Sequence, residues 1–401
     1  MGAPAAPAMR WASASSHEED AVAAARAAGA AARAALGEGP VDLALVFFGA
    51  SHVPSAAALA GALRDALAPA CLAGASAHGV VADDREIESG PCVSVLAARL
   101  PGVAVAPFVI LNEPWIGAAR DADALAAAAP GTEGAELVLL LGDPFSLDAE
   151  RVLLAFDRHR RGTRIVGGLA SAAGRPGGNA LLLNDWVSAE GGIGIGLSGA
   201  LRADVVVSQG CRPIGPPLEV TRASQNVLIE LDGQPALERA EQVLRALDDA
   251  GRERLRHGLY VGRPVRDDAE GPGDYLIRNL LGADRDRGLL AMADVAREHE
   301  RIRLHVRDAE TAREDLELRL APQEFDVRAS AALLFSCNGR GVAFHGRPDG
   351  DSGPLQRALG GAVPAAGMFC AGEIGPVGGR HYVHGHTASI AIVRPPAPAR
   401  G

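Results

Sequence analysis

Short, nearly unbroken apolar runs alternate along the chain with longer Ala- and Leu-rich stretches interrupted by charge. The unbroken runs predict strands covered on both faces, and the longer stretches predict helices. Residues 41–48 (VDLALVFF) form one such run, which ends in the polar turn Gly49-Ala50-Ser51-His52. A helix over about 54–67 and a strand over 71–76 follow, then a polar loop (83–90) and a third strand (92–100). The order returns at 136–141, which ends at Gly142-Asp143-Pro144, with a helix over about 148–160 and strands at 164–169 and 192–197. It returns again from Ala332, where LLFSC runs into a turn, a short helical segment, AAGMFCAGEIG and finally TASIAIV. Strand, helix, strand, loop, strand therefore recurs from about Leu43, Leu137 and Ala332, with a glycine at or near the end of each second strand (Gly74, Gly168, Gly372). Right-handed crossovers make the first two strands of each unit parallel neighbours.

The fold class is α/β, mixed α+β: repeated strand-helix-strand-loop-strand units forming mixed sheets covered by helices, in two domains. Ser15 or Ser16 is placed to cap a helix that opens with Glu18, Glu19 and Asp20, where the dipole favours negative charge, and that runs to Leu36. The proline-dense stretch 212–217 does not suit an inner strand and marks a domain junction. The expected division is a disordered terminus (1–14), domains at 15–215 and 216–394, and a flexible tail (395–401). The first domain holds two repeats and the second holds the third. Within the second, 227–231 reads as an edge strand, Asp232-Gly233 as a turn, and a helix starts at Pro235. Residues 301–307 alternate with period two as a half-solvated strand, and 309–320 form a charged helix.

Composition narrows the function. A chain of 401 residues is long enough for two or three cores without disulfides. Its five cysteines contain no C-x-x-C pair, which fits a reducing cytoplasm better than a secreted framework. The formal charge of -10 with no basic block argues against nucleic acid and against an acidic membrane surface. No stretch reads as a signal or membrane span, and Met9 is as good a start as Met1.

The chemistry is densest near the C-terminus. The strand ending in Ser336-Cys337 opens into Asn338-Gly339-Arg340-Gly341, where two glycines allow close approach and a guanidinium offers a planar fork for a carboxylate. Glu373 closes the next strand, and His381, His384 and His386 precede the last. A cation beside Cys337 would raise its thiolate fraction, and His384 or His386 could act as its base if the fold brings them together. The histidines lack a local carboxylate or cysteine to complete a metal site, so no metal or other cofactor is expected. Gly194-x-Gly196-x-x-Gly199 fits the dinucleotide fingerprint in letters only, since its glycines alternate with isoleucine inside a strand rather than opening a helix.

Cys337-Asn338-Gly339-Arg340-Gly341, the stretch from Gly367-Met368-Phe369 to Gly372-Glu373-Ile374-Gly375, and His384 three residues before Thr387 resemble the C-terminal half of the FIST family. The resemblance extends through Tyr275-Leu276-Ile277-Arg278 and Glu230 to Ala236, and to Leu72 to Val80 in the N-terminal half. It implies a sensory module that binds a small ligand, with amino acids the usual assumption and no established catalysis. The expected ligand contacts are Cys337, Asn338, Gly339, Arg340, Gly341, Glu373 and His384, with Ser51, Ser76 and Gly79 at the pocket rim. Arg340 would hold a carboxylate and Glu373 an ammonium. A cytoplasmic sensor of a small carboxylate-bearing molecule, signalling through a separate protein partner, is the first reading. An enzyme with Cys337 as nucleophile on acyl or amide substrates is the second, and a ligand-free scaffold the third.

Overall fold

The computed structural model describes residues 8–265 and 275–396. The run 1–7 and the tail from 397, both expected to lack structure, lie outside the described residues.

Three stretches share one order of elements. The first comprises β1 (Arg10–Ser16), α1 (Ala21–Leu36), β2 (Val41–Gly49), α2 (Ala56–Leu67), β3 (Pro69–Ala77), the hairpin β4 (Val80–Ala82) and β5 (Arg85–Ile87), and β6 (Val93–Arg99). The second has β7 (Val103–Ile110), α3 (Asn112–Ala118), α4 (Ala122–Ala128), β8 (Leu137–Gly142), α5 (Ala149–His159), β9 (Arg164–Leu169), the hairpin β10 (Leu181–Leu183) and β11 (Trp186–Ser188), and β12 (Gly192–Gly199). The third begins with β13 (Arg202–Gln209) and is then interrupted. The interruption holds β14 (Cys211–Ser224), β15 (Val227–Leu231), β16 (Gln234–Pro235), α6 (Ala236–Arg245), α7 (Asp249–Arg254), β17 (Leu259–Pro264), β18 (Tyr275–Asp284), β19 (Leu289–Met292) and β20 (Arg301–Arg307). The third repeat resumes with α8 (Ala309–Leu320), β21 (Ala331–Cys337), α9 (Val342–His345), α10 (Ser352–Ala358), β22 (Ala365–Cys370), the hairpin β23 (Glu373–Val377) and β24 (Arg380–His384), and β25 (Thr387–Arg394).

Pairing bears out the repeat. β2 and β3, β8 and β9, and β21 and β22 are parallel, while β6, β12 and β25 return antiparallel to the first strand of their own unit. The three sheets run β1-β6-β2-β3-β10-β11, β7-β12-β8-β9-β23-β24 and β13-β25-β21-β22-β4-β5. Each repeat therefore completes another repeat's sheet with its own hairpin: the first serves the third, the second the first, and the third the second. A free second-strand edge is an exposed row of unpaired amides, and the exchanged hairpins cover all three.

One register position shows why these strands can pack so closely. Gly74, Gly167 and Gly367 pair with Val46, Leu140 and Leu334, and at each a Cβ would overlap the partner's carbonyl oxygen. The equivalent glycines are these three, which corrects Gly168 and Gly372; the repeats share geometry without identity, so their register was not visible in the sequence.

The unbroken apolar strands are buried on both faces. Along β2, Leu43, Leu45 and Phe47 point into a central core shared with Leu139 and Leu141 of β8 and Leu333 and Phe335 of β21. Ala44, Val46 and Phe48 point outward to α1 and α2. α1 starts at Asp20, whose side chain accepts from the Ala23 N–H, and stops at Gly37 with φ 80°. The second sheet packs its outer face on α3, α4 and α5 around Trp115 and Phe156.

Two compact units result: one of residues 1–207, 317–383 and 387–401, the other of 208–316 with 384–386. The compact division thus differs from a cut at 215/216, because the chain leaves the third repeat after β13 and returns to it. In the second unit β14-β20-β17-β18-β19-β15 close on themselves through a β14–β15 pairing, with β16 added on β15. The core of this barrel takes Leu228, Leu231, Ile302 and Leu304 from its strands and Ala240 and Val243 from α6.

Several local expectations change. Residues 10–16 form β1 on β6 instead of leading a disordered terminus, and the cap of α1 is Asp20, so Glu18 and Glu19 precede the helix. The polar loop 83–90 carries strand β5. The proline-dense segment lies inside β14, which pairs on β20 and β15; a register shift between Ile214 and Leu218 and Gly215 at φ 61° absorb the prolines as a bulge. β15 is flanked by β14, β16 and β19 and is not an edge.

Candidate functional site

Register across the repeats locates where the third departs from the other two. The hairpin residue one place before the glycine partner is Val80 in the first repeat, Leu181 in the second and Glu373 in the third. Val80 and Leu181 are wholly buried in the central core, and Glu373 has 0% exposure. The same register makes Cys337 equivalent to Gly49 and Asp143, and Cys370 equivalent to Ala77 and Ala170. The aliphatic position becomes a carboxyl and the alanine position a thiol in the third repeat, while the Cys337 position already varies, Gly49 in the first repeat and Asp143 in the second.

Glu373 Oε2 accepts from the Thr387 N–H at 3.1 Å and from the Thr387 hydroxyl at 2.8 Å, and Oε1 has no hydrogen-bond partner. Burial pushes the carboxyl up to about 8, against the pull of Thr387, Arg340 and the Cys337 thiol toward the charged form. The carboxyl therefore keeps its proton to higher pH than an ordinary glutamate does. Cys337 pairs with Cys370 across β21 and β22. Cys337 is half-buried, whereas the other four cysteines are buried, with Cys71 and Cys92 pushed up to about 11. The Cys370 thiol is also raised well above its ordinary value, first by burial and then by the Glu373 charge.

Arg340 takes a different part from the one expected. It is 0% exposed, and its fork closes on Asp351: Nε donates to Oδ2 at 2.8 Å and Nη2 to Oδ1 at 2.6 Å. Ser336 also donates to Asp351 Oδ2 at 2.7 Å, and the Arg340 charge holds Asp351 well below the usual carboxylate range. The carboxylate this guanidinium grips is internal. The turn is tied to the β4–β5 hairpin from outside: Glu86 Oε1 accepts from the Asp351 and Ser352 N–H groups at 2.8 Å each, and Glu88 Oε1 from the Val342 N–H at 2.8 Å. Burial and the nearby Asp351 push Glu86 up to about 7. Asp351 and Glu86 were not anticipated; in the sequence they are acidic residues in polar loops, and only the exchanged hairpin brings them together.

Asn338 lies exposed on the turn, Gly339 is half-buried, and Gly341 is buried where a Cβ would overlap the Glu88 carboxylate. Ser76 and Gly79 do internal work. The Ser76 hydroxyl accepts from the Ala180 N–H at 2.8 Å, and the Gly79 carbonyl accepts from the Phe369 N–H at 3.0 Å. Ser51 is exposed in a 3-10 turn after β2, and His384 ends β24 buried. The histidines hold separate partners: His381 Nδ1 meets Asp157 at 2.6 Å, and His386 Nε2 meets Asn279 at 2.9 Å. Among the described residues no group of three His, Cys, Asp or Glu is placed to hold a metal ion. The glycine-alternating match lies in β12, with Gly194 against the Phe108 ring, and another strand follows. The expectation of no basic block needs correction: residues 158–164 read RHRRGTR, and the fold adds Arg380 to them. No helix among the described residues is long and apolar enough to cross a membrane.

Residues 42–234 match the FIST N domain and 236–376 the FIST C domain, so the chain belongs to the FIST family. An uncharacterised protein of Mycobacterium bovis is 37% identical over 385 residues, covering 92% of this chain and 95% of the relative. An uncharacterised protein of Mycobacterium tuberculosis is 36% identical over 373 residues with the same coverage. Among solved structures a cyanuric acid hydrolase aligns over 97% of this chain and 99% of its own, at 11% identity and a TM-score of 0.29, a level that assigns neither fold nor activity.

Proposed function

We propose that this FIST protein is a cytoplasmic sensory protein that binds a small ammonium-bearing molecule, such as an amino acid, at Glu373 and reports occupancy to a separate signalling partner. The observation that carries this reading is the Glu373 carboxyl: fully buried, one oxygen unpaired, and standing where the other two repeats place Val80 and Leu181. An unpaired buried carboxyl destabilises a core, and such groups are kept where they have a task. Cys337, whose thiol acts on the Glu373 carboxyl, is half-buried at the end of β21 and the next residue, Asn338, is exposed; in this reading Asn338 meets the ligand's carboxylate. Entry moves the 338–345 turn, which Glu88 holds at the Val342 N–H while Glu86 holds the Asp351 and Ser352 N–H groups that follow it, so the β4–β5 hairpin transmits the change.

The nucleophile reading has less support. Burial raises the carboxyl beside Cys337, which favours its protonated form over the carboxylate that a general base for the thiol requires.

Calorimetric titration with the common amino acids and their decarboxylated amines, in buffers of different ionisation enthalpy, tests the proposal. An ammonium at Glu373 returns its pKa downward, so binding at pH 7 should release about one proton. Glu373→Gln should weaken binding roughly ten- to a hundredfold and abolish the release, as expected for loss of a charge-assisted bond. Binding unchanged in that variant, or no binding by any of these compounds, overturns the reading and leaves the scaffold.

A further inference from the structure

We infer that the repeat unit carries a second binding site, for a phosphate-bearing small molecule, in an arginine-lined cleft formed by the end of α5, the start of β9 and the β23–β24 hairpin. The cavity measures about 600 Å³ and is lined by Arg158, Arg160, Arg161, Arg164, Arg380 and His381. That size suits a small molecule, although the lining is far more basic than the usual apolar pocket. A second hollow of about 500 Å³ shares Arg160 and Arg161, so this loop is reached from both sides.

The charges do not cancel. Asp157 is taken by His381, whose Nδ1 lies 2.6 Å and whose backbone N–H lies 3.1 Å from its two oxygens. His381 Nε2 accepts from the Ile165 N–H at 3.1 Å, which fixes the ring's proton on the Asp157 side. Glu133 meets Arg160 at 2.6 Å and Glu136 meets Arg164 at 2.7 Å. Five arginines against three carboxylates leave a surplus of two in a chain whose formal charge is -10. Arg161 and Arg380 are exposed, and among the described residues no ion pair holds either of them.

A helix C-terminus attracts basic residues, which accounts for Arg158 and His159 in the last turn of α5. It does not account for Arg164 and Arg380, which start β9 and β24 and reach the same cleft from other elements. Planar guanidinium forks converging from three elements match the oxygens of a phosphate bidentately, which a single carboxylate does not require.

Titration of the full chain with inorganic pyrophosphate at fixed ionic strength, beside sulfate, tests this. Pyrophosphate should bind saturably and more tightly than sulfate, and the Arg161→Glu/Arg380→Glu double variant should lose affinity about tenfold or more. Should that double variant fail to fold, Arg161→Gln and Arg380→Gln singly should each weaken binding. Glu373→Gln should leave pyrophosphate affinity unchanged, which separates this site from the amine site. Equal responses to sulfate and pyrophosphate, no saturable heat, or affinity undiminished by the arginine changes would overturn the inference. A single-stranded oligonucleotide that binds more tightly than pyrophosphate would also overturn it, in favour of a nucleic-acid surface.

Discussion

Arg340 and Asp351 form a two-bond ion pair at zero exposure, and such a pair stabilises only while both halves are present. Arg340→Ala should lower unfolding stability by about 3–5 kcal/mol, because Asp351 is left buried without its cation. Arg340→Lys should recover little of this, since an ammonium cannot repeat two parallel bonds in fixed geometry. Urea unfolding of both variants beside the parent measures it, and a lysine variant as stable as the parent would show that charge alone suffices. The turn itself was legible in the sequence, because a polar run that interrupts two apolar strands is a local signal. Arg340's partner was not legible: Asp351 lies eleven positions on, past α9 and the polar stretch 346–350, and nothing in its neighbours marks it as buried. Glu373 was expected to close the second strand of its repeat, but that strand ends at Cys370 and Glu373 opens the hairpin strand β23. Its contrast with Val80 and Leu181 needed the register of three hairpins that pair outside their own repeats.

At the scale of elements, the runs beginning near Leu43, Leu137 and Ala332 carried enough apolar periodicity to show strands buried on both faces. Parallel pairing followed from the helix between them. The hairpin exchange was hidden because β4, β5, β10 and β11 are strands of three residues in polar or glycine-rich surroundings, too short to show a period. The close approach at Gly74, Gly167 and Gly367 is the packing feature that the exchange rests on, since each glycine has its own first strand on one side and a donated hairpin on the other. Gly367→Ala should destabilise by about 3 kcal/mol or more, in the manner of an overpacked core, because its Cβ meets backbone that cannot step aside. Gly61→Ala is the control. It lies within α2 with nothing near its Cβ, and should gain about 0.5–1 kcal/mol from helix propensity. Thermal unfolding of the two variants should move in opposite directions, and a tolerated Gly367→Ala would mean that the strands can part at that register.

For the molecule as a whole, buried titratable groups give its two compact units opposite responses to pH. In the repeat unit Glu373 is pushed up to about 8 and Glu86 to about 7, so between the ordinary glutamate range and these values the folded chain binds protons that the unfolded chain has released. Stability of this unit therefore falls as pH rises from about 4.5 to 8 and levels off beyond, once both groups are ionised in either state. In the barrel unit the sign reverses. His305 is wholly buried against Tyr275 with Nε2 unpaired, and burial pushes it down to about 4, so the unfolded chain takes up a proton first as pH drops. That unit should lose stability as pH falls from 6.5 toward 4. Hydrogen exchange resolved by segment at pH 5.5, 6.5 and 8, corrected for intrinsic rates, distinguishes the two. Protection in β21 and β22 should weaken from 6.5 to 8, and protection in β17 and β20 should weaken from 6.5 to 5.5. Glu373→Gln should flatten the alkaline slope in the first pair and leave the acid slope in the second. A common response of all four strands would mean that the units open together and that neither buried group controls its own unit.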